Sequence, residues 1–308
     1  MRNRGRPLCD AAGRRAEHPR CDPVPSPAAG GLGLSGSIAD RIDRLWRDCQ
    51  WHANGALPAH WLPLVLDGAR CGSVDPATAR LLAQAPSPFR LDRSSLSLAP
   101  DPGNEPGDEP GHARTGSQAL AFAAQRLHEV GVVREWRSEQ LDVCTEDGRC
   151  IATIERAACR ALGIQTRSVQ LNALMPDGSM VAARRAPTKL TDPNRWDNLA
   201  GGMIAAGEQD HEALAREAYE EAGLRLADLP VVRGSQFRVL RPVPEGLMIE
   251  KVQVFDVQLP RDFVPVNLDG EVAAFCRLPI ESALDAIEGG DFTLQASMAI
   301  LDALRRAR

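Results

Sequence analysis

One stretch of this chain, from Gly202 to Leu224, constrains its fold more than any other. It contains a glycine, a glutamate six residues later, and then Arg-Glu-x-x-Glu-Glu-x-Gly followed by leucine. The segment from Asp210 to Ala222 has no proline or glycine, is rich in alanine, glutamate and leucine, and stops at Gly223. We predict a short helix there, because these residues favour helices and a glycine commonly ends one.

Three carboxylates would share one face of that helix. Glu217, Glu220 and Glu221 are spaced i, i+3 and i+4, so their side chains project from neighbouring positions. They could form a solvated acidic face neutralised by Arg216, or a site for a hard cation, since Mg²⁺ prefers oxygen ligands. The glycine-rich segment 197–202 favours the cation site, because glycines in a loop let backbone carbonyls approach a metal closely.

The whole string resembles the Nudix box, the metal-binding segment of Nudix pyrophosphohydrolases. The resemblance implies hydrolysis of a phosphoanhydride with Mg²⁺ as cofactor and Mn²⁺ as the alternative. It also implies a set of metal ligands, namely Glu217, Glu220, Glu221 and a backbone carbonyl of Gly201 or Gly202. The expected partner is a small-molecule diphosphate substrate.

Other residues of the string are assigned to architecture. The resemblance implies that Arg216 pairs with Glu208 and shapes the loop, while Gly223 closes the helix. The identity of the general base stays open between Glu217 and Glu271. Glu271 is a candidate because it precedes a short apolar run that we expect to form a strand of the sheet near the helix. Glu271 could equally be an ordinary glutamate beside a turn.

Length and charge limit the remaining possibilities. The chain has 308 residues, more than a domain of about 150 residues needs, so we expect a second domain. A net charge of −5 argues against a dedicated nucleic-acid binder. The sequence has no apolar run long enough to span a membrane and no apolar block after its N-terminal arginines, so we expect a cytoplasmic protein.

The cysteines support a reduced protein. Eight cysteines are scattered without a C-x-x-C pair, which argues against a zinc site. Cys144 and Cys150 flank the turn signal Asp147-Gly148, and the expected register places Thr145 opposite Cys150. That register argues against a disulfide between them.

We predict an α+β protein with a Nudix fold, a mixed β-sheet packed between helices, preceded by a small α+β N-terminal domain. The predicted divisions are a disordered extension at 1–36, an N-terminal domain at 37–154 with a flexible loop at 100–114, and a Nudix hydrolase domain at 155–308. Within them, residue patterns predict hairpins at Asp67-Gly68 and Asp177-Gly178, strands at 237–240 and 249–259, and helices at 37–46, 117–130, 155–162 and 292–306.

Three segments outside the box support a narrower resemblance. Residues 154–158, 183–189 and 263–272 look like the Nudix subgroup related to thiamine pyrophosphokinase, which carries an extra N-terminal domain; no kinase domain is expected here. The resemblance implies removal of one phosphate from damaged thiamine diphosphates, such as the oxy- and oxo- forms. A nucleotide housecleaning enzyme for 8-oxo-dGDP or ADP-ribose, and a non-catalytic metabolite sensor, are the alternatives.

Four residues upstream of the box are candidates for substrate binding. Arg184, Arg185 and Lys189 could clamp the phosphates, or they could form an exposed basic strand end. Trp196 could stack on a substrate ring, or it could belong to the core. The sequence leaves the number of metal ions and the oligomeric state open.

Overall fold

The structure is a computed structural model, and it describes residues 37–99 and 115–308. The predicted disordered extension at 1–36 and the predicted flexible loop at 100–114 lie outside these described residues.

The first half of the chain forms a small sheet with three helices and a separate hairpin. Its elements are α1 (Ile38–Ala53), β1 (Leu62–Leu66), β2 (Ala69–Val74), α2 (Pro76–Leu82), β3 (Phe89–Leu91), β4 (Leu96–Leu98), α3 (Gly116–Glu129), β5 (Gln140–Cys144) and β6 (Cys150–Glu155). The strand order is β2-β1-β4-β3, with β1 and β4 parallel and the outer pairs antiparallel. As predicted, Ser37 caps α1, and its side chain accepts a hydrogen bond from the amide of Asp40.

The expected register at the β5–β6 turn was wrong. Cys144, and not Thr145, lies opposite Cys150, because the pairing shifts between Val143 and Cys144. The two cysteines form a disulfide with their Cα atoms 3.9 Å apart. A bulge of this kind places two residues of one strand against one of the other, which the simple alternation did not anticipate.

The predicted helix at 155–162 was also wrong, because only a short 3₁₀ helix, Arg156–Ala158, forms. The Leu162 carbonyl accepts a hydrogen bond from the Ser73 amide of β2, and the Arg160 carbonyl accepts one from the Leu247 amide. These tertiary bonds fix the backbone that follows the 3₁₀ helix, and local helix propensity does not anticipate them.

The second half of the chain forms a seven-stranded mixed sheet and three further helices. Its elements are β7 (Thr166–Leu174), β8 (Met180–Arg185), β9 (Trp196–Asp197), β10 (Ala200–Met203), α4 (Asp210–Ala222), β11 (Val231–Val243), β12 (Gly246–Gln258), β13 (Val272–Leu278), α5 (Ile280–Glu288) and α6 (Leu294–Arg306). The main path runs β11-β12-β7-β8-β13, with β10 on β7 and β9 on β8. β12 and β7 are parallel, and the other pairs are antiparallel.

This sheet lies between two helical layers. Val169, Leu171 and Ala173 of β7 pack against α4 in one core, while the opposite face is covered by α6 and α5. The predicted α+β class and mixed sheet between helices are confirmed. Among the described residues, no helix is long and apolar enough to cross a membrane.

Helix α1 belongs by packing to the second half of the chain. Ile42 and Leu45 lie in the same core as Leu284, Ile300 and other residues of α5 and α6. Arg41 of α1 also forms ion pairs with Asp285 and Glu288 of α5. The predicted boundary between residues 154 and 155 stays a prediction. By its place in the chain α1 lies before this boundary, whereas by its packing it belongs with α5 and α6, which lie after it.

Candidate metal and diphosphate site

The helix that carries the carboxylates forms where the sequence predicts it. At its start, the Glu212 side chain accepts a hydrogen bond from the Gln209 amide, and at its end Gly223 has a positive φ of 64°. Glycine adopts this left-handed conformation without the clash that a Cβ would cause. The helix therefore ends at Ala222, one residue after Glu221.

The glycines before the helix lie in a strand and not in the expected loop. Gly201 and Gly202 belong to β10, which pairs with Gln170 and Val169 of β7. A Cβ on Gly201 would come within 2.6 Å of the Gln170 side chain, and one on Gly202 would overlap the Glu217 carboxylate. Glycine is required here because two side chains pass directly over the backbone.

The three helix carboxylates have different surroundings. Glu221 is buried, and its Oε2 accepts a hydrogen bond from the Gly201 amide at 2.9 Å. Glu217 is mostly buried and pairs with Arg216 at 2.7 Å, while Glu220 is more exposed and lies 3.4 Å from the same guanidinium. The structure thus places Glu217 and Glu220 on a cavity wall, with Glu221 behind them against β10.

Burial raises the pKa of Glu221 to about 8, although the charge of Lys189 and the Gly201 amide oppose this shift. Burial also raises the pKa of Glu217, and the neighbouring Arg216 partly offsets it. A carboxylate pushed out of water in this way gains strongly from a nearby cation. The acidic face is therefore not an ordinary solvated one.

Two acids from the turn before β13 complete the cluster. Carboxylate oxygens of Glu221, Asp269 and Glu271 lie within 4.8 Å of one another. The sequence interpretation named Glu271 but assigned no role to Asp269. The Asp269-Gly270-Glu271 turn was the available signal, since its two acids flank a glycine with a φ of 84° and both line the cavity.

Lys189 lies between these acids. Its Nζ is 3.2 Å from Glu221 Oε1 and also contacts Glu271 Oε2. Burial alone would raise the pKa of Glu271, but the hydrogen bond and charge of Lys189, with Arg156 and Arg185, lower it overall. Lys189 therefore holds Glu271 in its ionised form.

The pair Arg216 and Glu208 connects the helix to the preceding loop. Arg216 makes two bonds of 2.9 Å to the carboxylate of Glu208 and a third, of 3.0 Å, to the Met203 carbonyl. The Ala205 amide also donates a hydrogen bond to Glu208 Oε2, and this bond closes the loop. These contacts fit an architectural role for both residues, which stays a prediction.

The structure does not bring Arg184 and Arg185 together, because they lie on opposite faces of β8. Successive side chains of a strand point to opposite faces, and Arg184 is exposed and donates to the Asn194 carbonyl. Arg185 lines the cavity, but its guanidinium is bonded to Asp197 and to the Thr191 carbonyl. It holds the turn that carries Lys189.

Trp196 lies in the core and not on the cavity wall. It is only 9% exposed and packs in the cluster with Ile42, Phe292 and Leu301. Its backbone bonds to Asp291 and Thr293. The core alternative therefore describes this residue, and stacking on a substrate ring is not supported.

The carboxylates lie at one of two adjoining cavities that share wall residues. The carboxylate cavity, about 530 Å³, contains Glu217, Glu220, Asp269 and Glu271 on its wall. The adjoining cavity, about 450 Å³, is lined more by apolar groups. Both are lined in part by Arg137, Arg156 and Arg160, which precede β7 in the chain.

The hairpin of β5 and β6 is attached to the loop before α4. The Asp142 carboxylate accepts hydrogen bonds from Arg167 and from the Gly207 amide, both at 3.1 Å. The Ala206 amide donates to the Gln140 carbonyl at 2.8 Å. The first half of the chain thus contributes both to the cavity walls and to the position of the box loop.

The donor chemistry fits a hard cation. Every candidate ligand side chain is a carboxylate, and Glu217, Glu220 and Glu221 face Asp269 and Glu271 across one cleft. Clustered carboxylates of which two are largely buried suit a divalent cation with oxygen ligands. The glycine strand leaves no side chain between the backbone and Glu217. These residues are able to hold Mg²⁺ or Mn²⁺.

Residues 166–295 match the family model of the NUDIX domain, and residues 42–166 match a domain of unknown function, DUF4743. Nudix hydrolase 24, chloroplastic, of Arabidopsis thaliana is 28% identical over 204 residues, covering 62% of this chain and 54% of that protein. The uncharacterized Nudix hydrolase SCO1686 of Streptomyces coelicolor is 38% identical over 85 residues, covering 28% of this chain and 47% of that protein.

Among solved structures, the crystal structure of DR0079 from Deinococcus radiodurans is similar, with 25% identity and a TM-score of 0.44. It covers 55% of this chain and 98% of that chain. The chain spans about half the length of the curated relatives it matches. The two family models identify residues 166–295 as a Nudix domain and the preceding residues 42–166 as a DUF4743 domain.

Proposed function

We propose that this protein is a Mg²⁺-dependent pyrophosphohydrolase that cleaves a phosphoanhydride in a small-molecule diphosphate. The observation that carries the proposal is the cleft of five carboxylates at the end of a cavity large enough for such a ligand. The Arabidopsis relatives, which are named Nudix hydrolases, support the same reaction class.

In this proposal, Glu217, Glu220 and Glu221 hold the cation from the helix, with Asp269 and Glu271 opposite. A bound Mg²⁺ would neutralise the diphosphate charge and make a coordinated water more acidic. Lys189 supplies a positive charge at the same place, where it can meet a phosphate oxygen. Arg185 acts through Lys189, since its bonds to the Thr191 carbonyl fix the turn between them.

Glu271 is the better of the two candidates for the base. Its side chain is 54% exposed and lies on the cavity wall, so an oxygen of this ionised carboxylate is open to a water molecule in the cavity. Glu217 is mostly buried and already bonded to Arg216, which leaves it better suited to holding the cation.

The substrate we propose is a damaged thiamine diphosphate, of the oxy- or oxo- form, which is converted to the monophosphate. The support is the resemblance of three segments, at 154–158, 183–189 and 263–272, to the subgroup related to thiamine pyrophosphokinase. Residues 154–158 and 183–189 both include residues of the carboxylate cavity wall, Arg156, Arg185 and Lys189.

Orthophosphate release from oxythiamine diphosphate with Mg²⁺ tests the proposal. We expect turnover by the wild type and a loss of at least about 100-fold in Glu220→Gln, because removing a metal ligand removes transition-state stabilisation of several kcal/mol. Glu212→Gln is the matched control, since Glu212 is exposed on the same helix and the amide keeps the capping bond. Glu212→Gln should therefore turn over as the wild type does.

Two outcomes would contradict the proposal in different ways. Unchanged turnover in Glu220→Gln would remove the metal assignment. Much faster hydrolysis of 8-oxo-dGDP or ADP-ribose than of oxythiamine diphosphate would contradict the proposed substrate and favour a nucleotide housecleaning enzyme. The assignment of the carboxylate site would be unaffected.

A further inference from the structure

A buried acid lies at the junction of the two cavities, away from the metal cluster. Glu250 of β12 is only 4% exposed, yet it is on the wall of both the carboxylate cavity and the adjoining cavity. Its position follows from the strand pairing, which places Glu250 beside Thr166 at the start of β7. Neither the metal ligands nor the box architecture involves this residue.

Glu250 is held by two neutral donors. The Ser168 hydroxyl donates to Oε1 at 2.6 Å, and the Gln295 amide donates to Oε2 at 2.9 Å. In the described ranges 37–99 and 115–308, no lysine, arginine or histidine forms an ion pair with it. A buried carboxylate with neutral partners alone is costly, and each of its oxygens can accept another hydrogen bond.

Gln170, on the wall of the carboxylate cavity, has an acceptor atom without a partner. Gln170 is 7% exposed, lines the carboxylate cavity, and its Oε1 is buried with no hydrogen-bond partner. Buried amide oxygens in folded proteins almost always have a partner. Glu250 and Gln170 thus offer acceptors to the cavity, while their nearby donors, Ser168 and Gln295, are already engaged by Glu250.

The walls around Glu250 suit a ring. Across the adjoining cavity are apolar groups from both halves of the chain, among them Val133, Ala161, Leu247 and Met248. Ligand sites commonly combine such apolar walls with a few oriented polar groups. A flat apolar body with polar nitrogen groups at its edge would match this combination.

We propose that Glu250, with Gln170, binds the organic part of the substrate, and that this part is a nitrogen heterocycle that donates N–H hydrogen bonds. The inference rests on the proposed function in one respect, because it assumes that the diphosphate of the same ligand binds at the metal carboxylates. Glu250 then selects among diphosphates, and the five metal-cluster carboxylates act on all of them alike.

The test compares two diphosphates that differ at the organic end. Oxythiamine diphosphate has a heterocycle with an N–H group, and isopentenyl diphosphate has no nitrogen. Their dissociation constants are measured by calorimetry with Ca²⁺ in place of Mg²⁺, so that binding is read apart from turnover, and orthophosphate release with Mg²⁺ is measured separately.

We expect the wild type to bind oxythiamine diphosphate more tightly than isopentenyl diphosphate. Glu250→Gln should lose at least about tenfold in affinity for the first and keep its affinity for the second, because a charge-assisted bond is replaced by an amide contact. The selectivity ratio is internal to each variant, so a general loss of folded protein leaves it unchanged. Asp256→Asn is the control on the same strand, since Asp256 bonds Asn172 and Arg306 outside both cavities.

Equal weakening of both ligands in Glu250→Gln, or no change in the ratio, would overturn the inference. The failure of the hydrolase proposal is distinguishable, because a wild type that binds with this selectivity but releases no phosphate would contradict hydrolysis alone. A wild type that hydrolyses both diphosphates with equal affinity would contradict only the role of Glu250.

Discussion

At the scale of single residues, the site depends on the absence of side chains at two glycines as much as on its carboxylates. The helix carboxylates approach the backbone of β10 because Gly201 and Gly202 have no side chains. Glu221 gains a hydrogen bond from the Gly201 amide through this approach. The glycine strand is thus a condition for the carboxylate geometry, and a larger residue there should disturb the site before it disturbs the fold.

Replacing Gly202 tests that statement. In Gly202→Ala the new Cβ would overlap the Glu217 carboxylate, and we expect the side chain to move away, since its end is flexible. Turnover should fall at least about tenfold, because misplacing a metal-site group by a small distance is costly, while the melting temperature changes little. Gly289→Ala is the control, since its Cβ meets only ordinary contacts at 3.4 Å or more. Wild-type turnover in Gly202→Ala would contradict the argument.

The raised pKa of Glu221 predicts a pH dependence of stability for the metal-free protein. The pKa is about 8 in the folded state against 4.5 for the free side chain, so the folded state retains a proton that the unfolded state releases between these values. Stability from this group therefore falls as pH rises from about 4.5 through about 8, and is constant above.

Thermal unfolding in the presence of EDTA, from pH 5 to pH 9, measures this dependence. Glu221→Gln, which is neutral throughout, should lose this part of the decline and melt at a higher temperature than the wild type at pH 8. Glu212→Gln should keep the wild-type decline. The assignment is wrong if Glu221→Gln declines as steeply as the wild type.

At the scale of elements, most helices and hairpins could be predicted from the sequence, but the elements that they pack against could not. The box helix and the hairpin at Asp177-Gly178 formed at the predicted residues, because capping and turn chemistry act over a few residues. The segment 155–162 formed only a short 3₁₀ helix, and its Arg160 and Leu162 carbonyls bond the distant strands β12 and β2. The docking of α1 on α5 and α6 was not visible in its local pattern.

Helix α1 should therefore stabilise the half of the chain that follows. Leu45 is 4% exposed in the core with α5 and α6, and Leu45→Ala should lower the free energy of unfolding by about 2–4 kcal/mol through lost burial and a cavity. Urea unfolding measures the loss. Trp51→Ala is the control on the same helix, since Trp51 is 82% exposed and its removal should cost about 0.5 kcal/mol or less. Similar values for both variants would show that α1 is only loosely attached.

At the scale of the whole molecule, the DUF4743 domain and the Nudix domain share the site. Arg137, Arg156 and Arg160, which precede β7 in the chain, line the cavities, and Asp142 anchors the loop before the box helix. We infer that the first half positions both the substrate and the box loop. Activity should therefore be sensitive to contacts between the two halves that lie outside the metal cluster.

Asp142→Asn tests this sensitivity. The change removes the ion pair with Arg167 and weakens the bond from the Gly207 amide, and we expect a fall of about tenfold in turnover of oxythiamine diphosphate from the displaced loop. Asp177→Asn is the control, since it removes an exposed ion pair between the β7–β8 turn and Arg277 of β13. Full turnover in Asp142→Asn, with Asp177→Asn also unchanged, would mean that the interface does not position the loop.

The amino-acid sequence by itself determined the helix of the box, its end at Gly223 and the shared face of Glu217, Glu220 and Glu221, because helix geometry and glycine conformation act between near neighbours. Only the tertiary structure decided that Trp196 is in the core and that Asp269 joins the cluster. It also placed Glu250 between two cavities. These outcomes depend on contacts between residues far apart in the chain, which no local pattern encodes.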